Sequence, residues 1–197
     1  GDGRSKAIKE AKTDLIAQFG ADHILKAEVY DSIIGMRESV LGNEVAADLV
    51  GRANTEVSSY WVDGQSGVKC KARIDALPYQ DSDWGYCIVD VKTTTDASER
   101  EFQRSVHNFG YHRQAAHYLA STCDKVFNRD RFIFVCVEKA PPHCLAIYEL
   151  DPDAIALARL ELDHLLKLWA ECEVNEEWPS YPEGIQELSL PGWAYTQ

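Results

Sequence analysis

The chain has 197 residues, 45% of them apolar, and a formal net charge of −12. That composition supports one sizeable core and no membrane partner, since no apolar run approaches the ~20 residues of a bilayer-spanning helix. Residues 1–12 are charged and hold no apolar segment of a signal peptide, and the start Gly1-Asp2-Gly3, without methionine, fits a piece of a longer protein.

The negative charge argues against a polyanionic partner, but it is unevenly spread. Residues 149–197 carry eleven acids against Arg159 and Lys167, whereas residues 69–118 carry seven acids and seven bases. The central part can therefore face a phosphate backbone while the far side stays acidic. None of the six cysteines forms a C-x-x-C pair, which argues against a zinc ribbon. Several sit in apolar strand-like runs, where a free thiol behaves as a small hydrophobe, so the expected compartment is the reducing cytoplasm.

Taken in chain order, residues 5–19 have apolar positions at helical spacing (Ile8, Ala11, Leu15, Ile16), with Gly20 as a stop. Residues 28–42 repeat that spacing through Val29, Ile33, Met36 and Val40. Asn43 can cap a further helix closed by Gly51. The period then switches, and residues 56–62 read as a strand. A turn with two glycines at 63–67 leads into residues 68–77, which alternate cleanly: Cys70, Ala72, Ile74 and Ala76 on one face, Lys69, Lys71, Arg73, Asp75 and Leu77 on the other. Residues 86–92 form a third strand. Two helices follow, over 99–106 and 111–122, then strands over 131–138 and 144–150. Asp151-Pro152 has the form of a cap and first-turn proline of a last helix, running to about residue 173. Residues 175–197 read as an irregular acidic tail. The order describes one α/β domain over residues 1–197: N-terminal helices over 1–51, an α/β core with a central mixed sheet flanked by helices over 52–150, and a C-terminal helix and acidic tail over 151–197.

The third strand carries the chemistry. Cys87, Val89 and Val91 share one face, and Ile88, Asp90 and Lys92 the other. An acid and a lysine together at the end of a largely buried strand are costly unless something uses them. The alternatives are a solvated strand end with a chance ion pair, or an acid for a divalent cation beside a lysine for a phosphate or water. Asp75 ends the second strand and Glu56 begins the first, so up to three carboxylates are available. An antiparallel hairpin by itself is expected to leave Asp75 and Asp90 at opposite ends. On the 111–122 helix, Tyr111, Gln114 and Tyr118 fall on nearly one face, either as the lining of a charged cleft or as a solvated face with Tyr118 half in the core.

The runs Cys70-Lys71-Ala72-Arg73-Ile74-Asp75, Ile88-Val89-Asp90-Val91-Lys92-Thr93-Thr94 and Tyr111-His112-Arg113-Gln114-Ala115-Ala116-His117-Tyr118 together resemble the RecE-type exonuclease group of the PD-(D/E)xK nuclease superfamily. The resemblance covers roughly residues 28–150. It implies a restriction-endonuclease-like fold with Asp75 and Asp90 as metal ligands and Lys92 orienting or activating water. It also implies that Gln114 and Tyr118 position the phosphate or water, and that Glu56 is a second-metal or water-linked carboxylate. Lys69, Lys71 and Arg73 offer a phosphate path on the Asp75 face, with Thr93 and Arg113 as further DNA contacts. The implied cofactor is Mg2+, with Mn2+ able to substitute. The implied activity is degradation of the 5′-ended strand of linear duplex DNA, leaving 3′ overhangs for recombination. The implied partners are DNA ends, a single-strand annealing recombination protein and further copies in a ring-shaped homo-oligomer. One departure is the histidine such nucleases carry in a G-x-x-x-H setting on an early helix: His23 lacks the glycine. Two other readings stay open, an endonuclease or junction-resolving nuclease on the same fold, and a non-catalytic module that binds DNA ends.

Overall fold

The computed structural model describes residues 6–20, 24–122 and 128–195. His23 and Cys123 lie outside the described residues. The elements run α1 (Lys6–Phe19), α2 (Ala27–Gly42), α3 (Glu44–Gly51), β1 (Ala53–Val62), β2 (Lys69–Pro78), β3 (Cys87–Thr94), α4 (Glu99–Asn108), α5 (Tyr111–Ala120), β4 (Arg131–Glu138), β5 (Leu145–Glu149) and α6 (Pro152–Asn175), followed by a 3-10 turn at Gly192–Tyr195. β1 starts three residues earlier than the sequence pattern suggests, because Ala53, Asn54 and Thr55 pair with Pro78, Leu77 and Ala76. The caps form as expected: the Asn43 side chain accepts from the Ala46 amide at 3.0 Å, and Asp151 from Ala154 at 2.9 Å, each satisfying a first-turn donor that the helix itself leaves free.

The five strands lie in the order β1-β2-β3-β4-β5. All neighbours are antiparallel except β3 and β4, which run parallel and are joined through α4 and α5, since parallel strands need a long crossover. Helices cover both faces. Ala46 and Leu49 of α3, with Val40 of α2, pack on Cys87, Val89, Ile133 and Val135. On the opposite face Phe102 of α4, Ala115 and Leu119 of α5 and Ile155 of α6 pack on Ile88, Phe132, Phe134 and Cys136. β3 and β4 are thus sandwiched, which is why they read as continuous apolar runs. α1 buries none of its residues.

The clean alternation expected along β2 breaks at Asp75. Ile74 joins the core under α5, Ala76 joins the core under α3, and Leu77 packs on the α5 side again. On the partner strand Ala53 and Val57 likewise fall on opposite faces, although four residues apart. The break coincides with Glu56, whose φ of 55° is left-handed. Glu56 occupies the register position facing Asp75, between the pairs Thr55↔Ala76 and Val57↔Ile74.

Candidate active site

Asp90 sits at the centre of the sheet and is 1% exposed. Strand alternation turns Ile88, Asp90 and Lys92 toward α5. There the Gln114 amide meets both polar groups: its Nε2 donates to Asp90 Oδ1 at 2.8 Å, and its Oε1 accepts from Lys92 Nζ at 2.9 Å. Lys92 Nζ also lies 2.5 Å from Asp90 Oδ2 and 4.5 Å from the centroid of the Tyr111 ring, a cation–π contact. Burial still dominates at Asp90. It pushes the carboxyl above its usual range, against the opposing pull of Lys92 and Gln114 and with the neighbouring Asp75 charge adding to the rise. The same burial pushes the adjacent Cys136 thiol up to about 12, which leaves it an inert core group.

Asp75 comes to Asp90 through the strand register, which gives the convergence that the resemblance implies and that a plain hairpin by itself does not. β2 and β3 share the single ladder pair Ala76↔Val89, and the next antiparallel position sets Asp75 against Asp90. Ladder pairing stops there. The Asp75 side chain substitutes for the missing strand acceptor: its Oδ2 takes the Val91 amide hydrogen at 2.9 Å. The two carboxylates therefore stand at the opening of a fork between β2 and β3.

The fork suits a hard divalent cation. Asp90 Oδ2 is fully buried and, despite its ion-pair contact with Lys92, receives no hydrogen bond of good geometry. A buried, incompletely satisfied carboxylate oxygen beside a second carboxylate is a donor set with unused capacity. Among the described residues no group of three or more His, Cys, Asp or Glu side chains converges to hold a metal. Two carboxylates are nonetheless what Mg2+ commonly takes, since it keeps several waters and completes its shell with substrate phosphate.

The other expected site residues are placed as follows. Glu56 faces Asp75 in the register but is exposed and ion-paired to Arg73 Nε. Tyr118 continues the Tyr111–Gln114 face, yet its ring packs on the core beside Phe132, centroids 6.3 Å apart, and takes no part in the hydrogen bonds around Asp90. Lys69, Lys71 and Arg73 are exposed on β2 with Tyr60 and Val62 opposite, so the basic face exists, with one of its three charges matched by Glu56. Thr93 is exposed just past Lys92. Arg113 Nε points to Glu161 of α6 at 3.8 Å. His112 is buried between the Val106 carbonyl and Glu161. Trp84 is held by an indole bond to Asp48 at 2.9 Å. Sequence reasoning did not reach Lys139. The parallel register Thr94↔Glu138 sets it beside the end of β3, and no local motif marks it.

The chain matches the family described as a PDDEXK-like domain of unknown function (DUF3799) over residues 4–191. No curated protein matches it. Among solved structures it is similar to a candidate exonuclease from Eubacterium rectale, at 15% identity and TM-score 0.62, covering 96% of this chain and 73% of that one. It is also similar to a phage-related exonuclease from Haemophilus somnus, at 14% identity and TM-score 0.45, covering 89% of this chain and 91% of that one. The mixed sheet with helices on both faces, together with the family match and the Eubacterium rectale structure, gives a restriction-endonuclease-like α/β fold.

Proposed function

The chain belongs to the PDDEXK-like domain family (DUF3799), and on that premise we propose that it is a divalent-metal-dependent DNA exonuclease of RecE type. The observation that carries the proposal is the fork. Asp75 and Asp90 are set opposite each other by strand register, and Lys92 and Gln114 are hydrogen-bonded into the same cluster.

In this reading Asp75 and Asp90 hold Mg2+, or Mn2+ in its place. The cation, when bound, supplies Lewis-acid polarisation of the phosphodiester and a water of lowered pKa. Lys92 faces the reacting phosphate, orients the attacking water and offsets the charge that grows on the phosphate oxygens. Gln114 holds the Lys92 ammonium and the Asp90 carboxylate in one geometry before substrate arrives, so little reorganisation is needed during reaction. Water adds to phosphorus, the bond to the 3′-oxygen breaks, and a 5′-phosphate product leaves. Glu56 joins the site once its exposed ion pair with Arg73 opens, at a cost of about 0–1 kcal/mol. Lys69, Lys71, Arg73, Thr93 and Arg113 line the DNA path. The 5′→3′ polarity, the ring of several copies and the annealing partner rest on the sequence resemblance. No helix among the described residues is long and apolar enough to cross a membrane.

The experiment is incubation with linear duplex DNA labelled at the 5′ or the 3′ end, with and without Mg2+, alongside covalently closed circles. Metal-dependent loss of the 5′-labelled strand, with circles spared, supports the proposal. Cutting of closed circles would assign an endonuclease instead, and metal-independent binding without cleavage would assign an end-binding module.

A further inference from the structure

At the C-terminal ends of β3 and β4 the fold leaves a pocket of about 230 Å3 whose walls include Lys92, Thr95, Ser105, Phe109, Tyr111 and Lys139. Two features set it apart from an ordinary surface dent. None of its lining residues is acidic, in a chain of net charge −12. Its second cation is also free. Among the described residues the Lys139 ammonium makes neither an ion pair nor a hydrogen bond.

The backbone of Lys139 is nevertheless held from two sides. Its N–H donates to the Thr94 carbonyl at 2.9 Å, and its carbonyl accepts from Ser32 Oγ on α2 at 3.1 Å. The side chain thus projects from a fixed point at the end of the strand beside the one that carries Asp90 and Lys92. Across the mouth, Phe109 is 70% exposed. Its ring centroid lies 5.6 Å from that of Tyr111, which is itself packed under Lys92. An unpaired ammonium, the hydroxyls of Thr95, Ser105 and Tyr111 and an exposed aromatic face form the donor and stacking set that a nucleotide uses.

Resting on the nuclease reading above, we propose that this pocket receives the nucleotide next to the scissile bond, with Lys139 contacting its phosphodiester and Phe109 stacking on its base. Lys92 then stands between the scissile phosphate and its neighbour, and Lys139 fixes the spacing of the strand along the site. Lys139 contributes to substrate binding and leaves the bond-breaking step to the Asp75–Asp90 fork.

Steady-state cleavage of linear duplex DNA by the whole chain, with Mg2+, tests the proposal. Lys139→Gln should raise KM roughly tenfold, the loss of one charge-assisted contact, with kcat within about threefold of wild type. The salt dependence should lose about one phosphate contact. Lys139→Arg should recover most of the KM. A single methylphosphonate placed next to the scissile bond should slow the wild type and leave Lys139→Gln unaffected. An unchanged KM, or equal sensitivity of both proteins to the methylphosphonate, overturns the inference while wild-type cleavage keeps the nuclease reading intact. A KM defect confined to 5′-phosphorylated ends and absent with 5′-hydroxyl ends assigns Lys139 to the terminal phosphate and also overturns it. If the wild type cleaves no DNA, both readings fall together.

Discussion

Gln114→Met removes the amide that joins Asp90 to Lys92 while nearly keeping side-chain length and volume, so the lost hydrogen bonds can be read without a cavity. Two bonds go, at 2.8 Å to Asp90 and 2.9 Å to Lys92. A hydrogen bond to a charged group contributes roughly 1.5–3 kcal/mol. The Asp90 bond deserves that full range, because the Asp90 side chain is 2% exposed and water cannot replace the donor. The Lys92 bond deserves less, because its side chain is 17% exposed and can recruit water. The sum is about 2–4 kcal/mol, a large share of the ~5–15 kcal/mol that holds a domain of this kind. For a chain of this length that corresponds to a fall in Tm of roughly 5–15 °C. Urea unfolding followed by tryptophan fluorescence measures it, and the midpoint should fall with the slope unchanged. Gln103→Met, which removes only an exposed bond to Glu99, is the control and should move nothing. A Gln114→Met midpoint equal to that of the control would refute the bridging role, and with it the idea that the site is held ready before substrate binds.

Three further outcomes follow from the same geometry. Lys92→Ala should leave Mn2+ binding by calorimetry within a few-fold of wild type, because the carboxylates hold the ion, and reduce turnover by about 100-fold or more; equal loss of binding and turnover would refute the assigned role. Glu56 is left-handed at φ 55°, a conformation costing roughly 1–2 kcal/mol for a residue with a side chain, so Glu56→Gly should be more stable than Glu56→Ala by about 1 kcal/mol in urea melts. Equal midpoints would remove the strain. His117 is half-buried against Trp61 and donates to the Lys71 carbonyl, and burial lowers its pKa below the usual 6.5. The unfolded chain then takes up the proton first, so stability is fully present above pH 6.5 and falls as pH drops below it; His117→Gln should flatten that slope between pH 7 and 5.5.

Much of the fold was legible because the local signals agree with the tertiary structure. The switch from helical to alternating period, the Asn43 and Asp151 caps, and the apolar runs of β3 and β4 each announce the element they form. Asp90, Lys92 and Gln114 were legible as a group because alternation puts the first two on one face, and that face meets α5. Three features were not. The left-handed residue at Glu56 has no sequence mark, since it is neither glycine nor asparagine, and the face switch it accompanies overrides the regular alternation of β2. The opposition of Asp75 and Asp90 depends on where the loop between β2 and β3 turns, which the loop composition does not fix. The Lys139 pocket depends on the parallel pairing of β3 with β4, a contact between segments more than 40 residues apart that no local pattern reports.

The fork explains why these residues tolerate their positions. A fully zipped β2–β3 ladder would consume the Val91 amide in backbone pairing and leave Asp75 no buried partner. Ending the ladder at Ala76↔Val89 frees that amide for the Asp75 carboxylate, and the gap beyond it is where two acids can stand close together. Burial raises the Asp90 pKa, and the nearby Asp75 charge adds a smaller rise. The arrangement is therefore a standing electrostatic cost, met in part by Lys92 and Gln114. Such a cost fits the divalent-cation site proposed above. The strained Glu56, placed opposite Asp75 at the same break, adds a second local cost at the same point of the sheet.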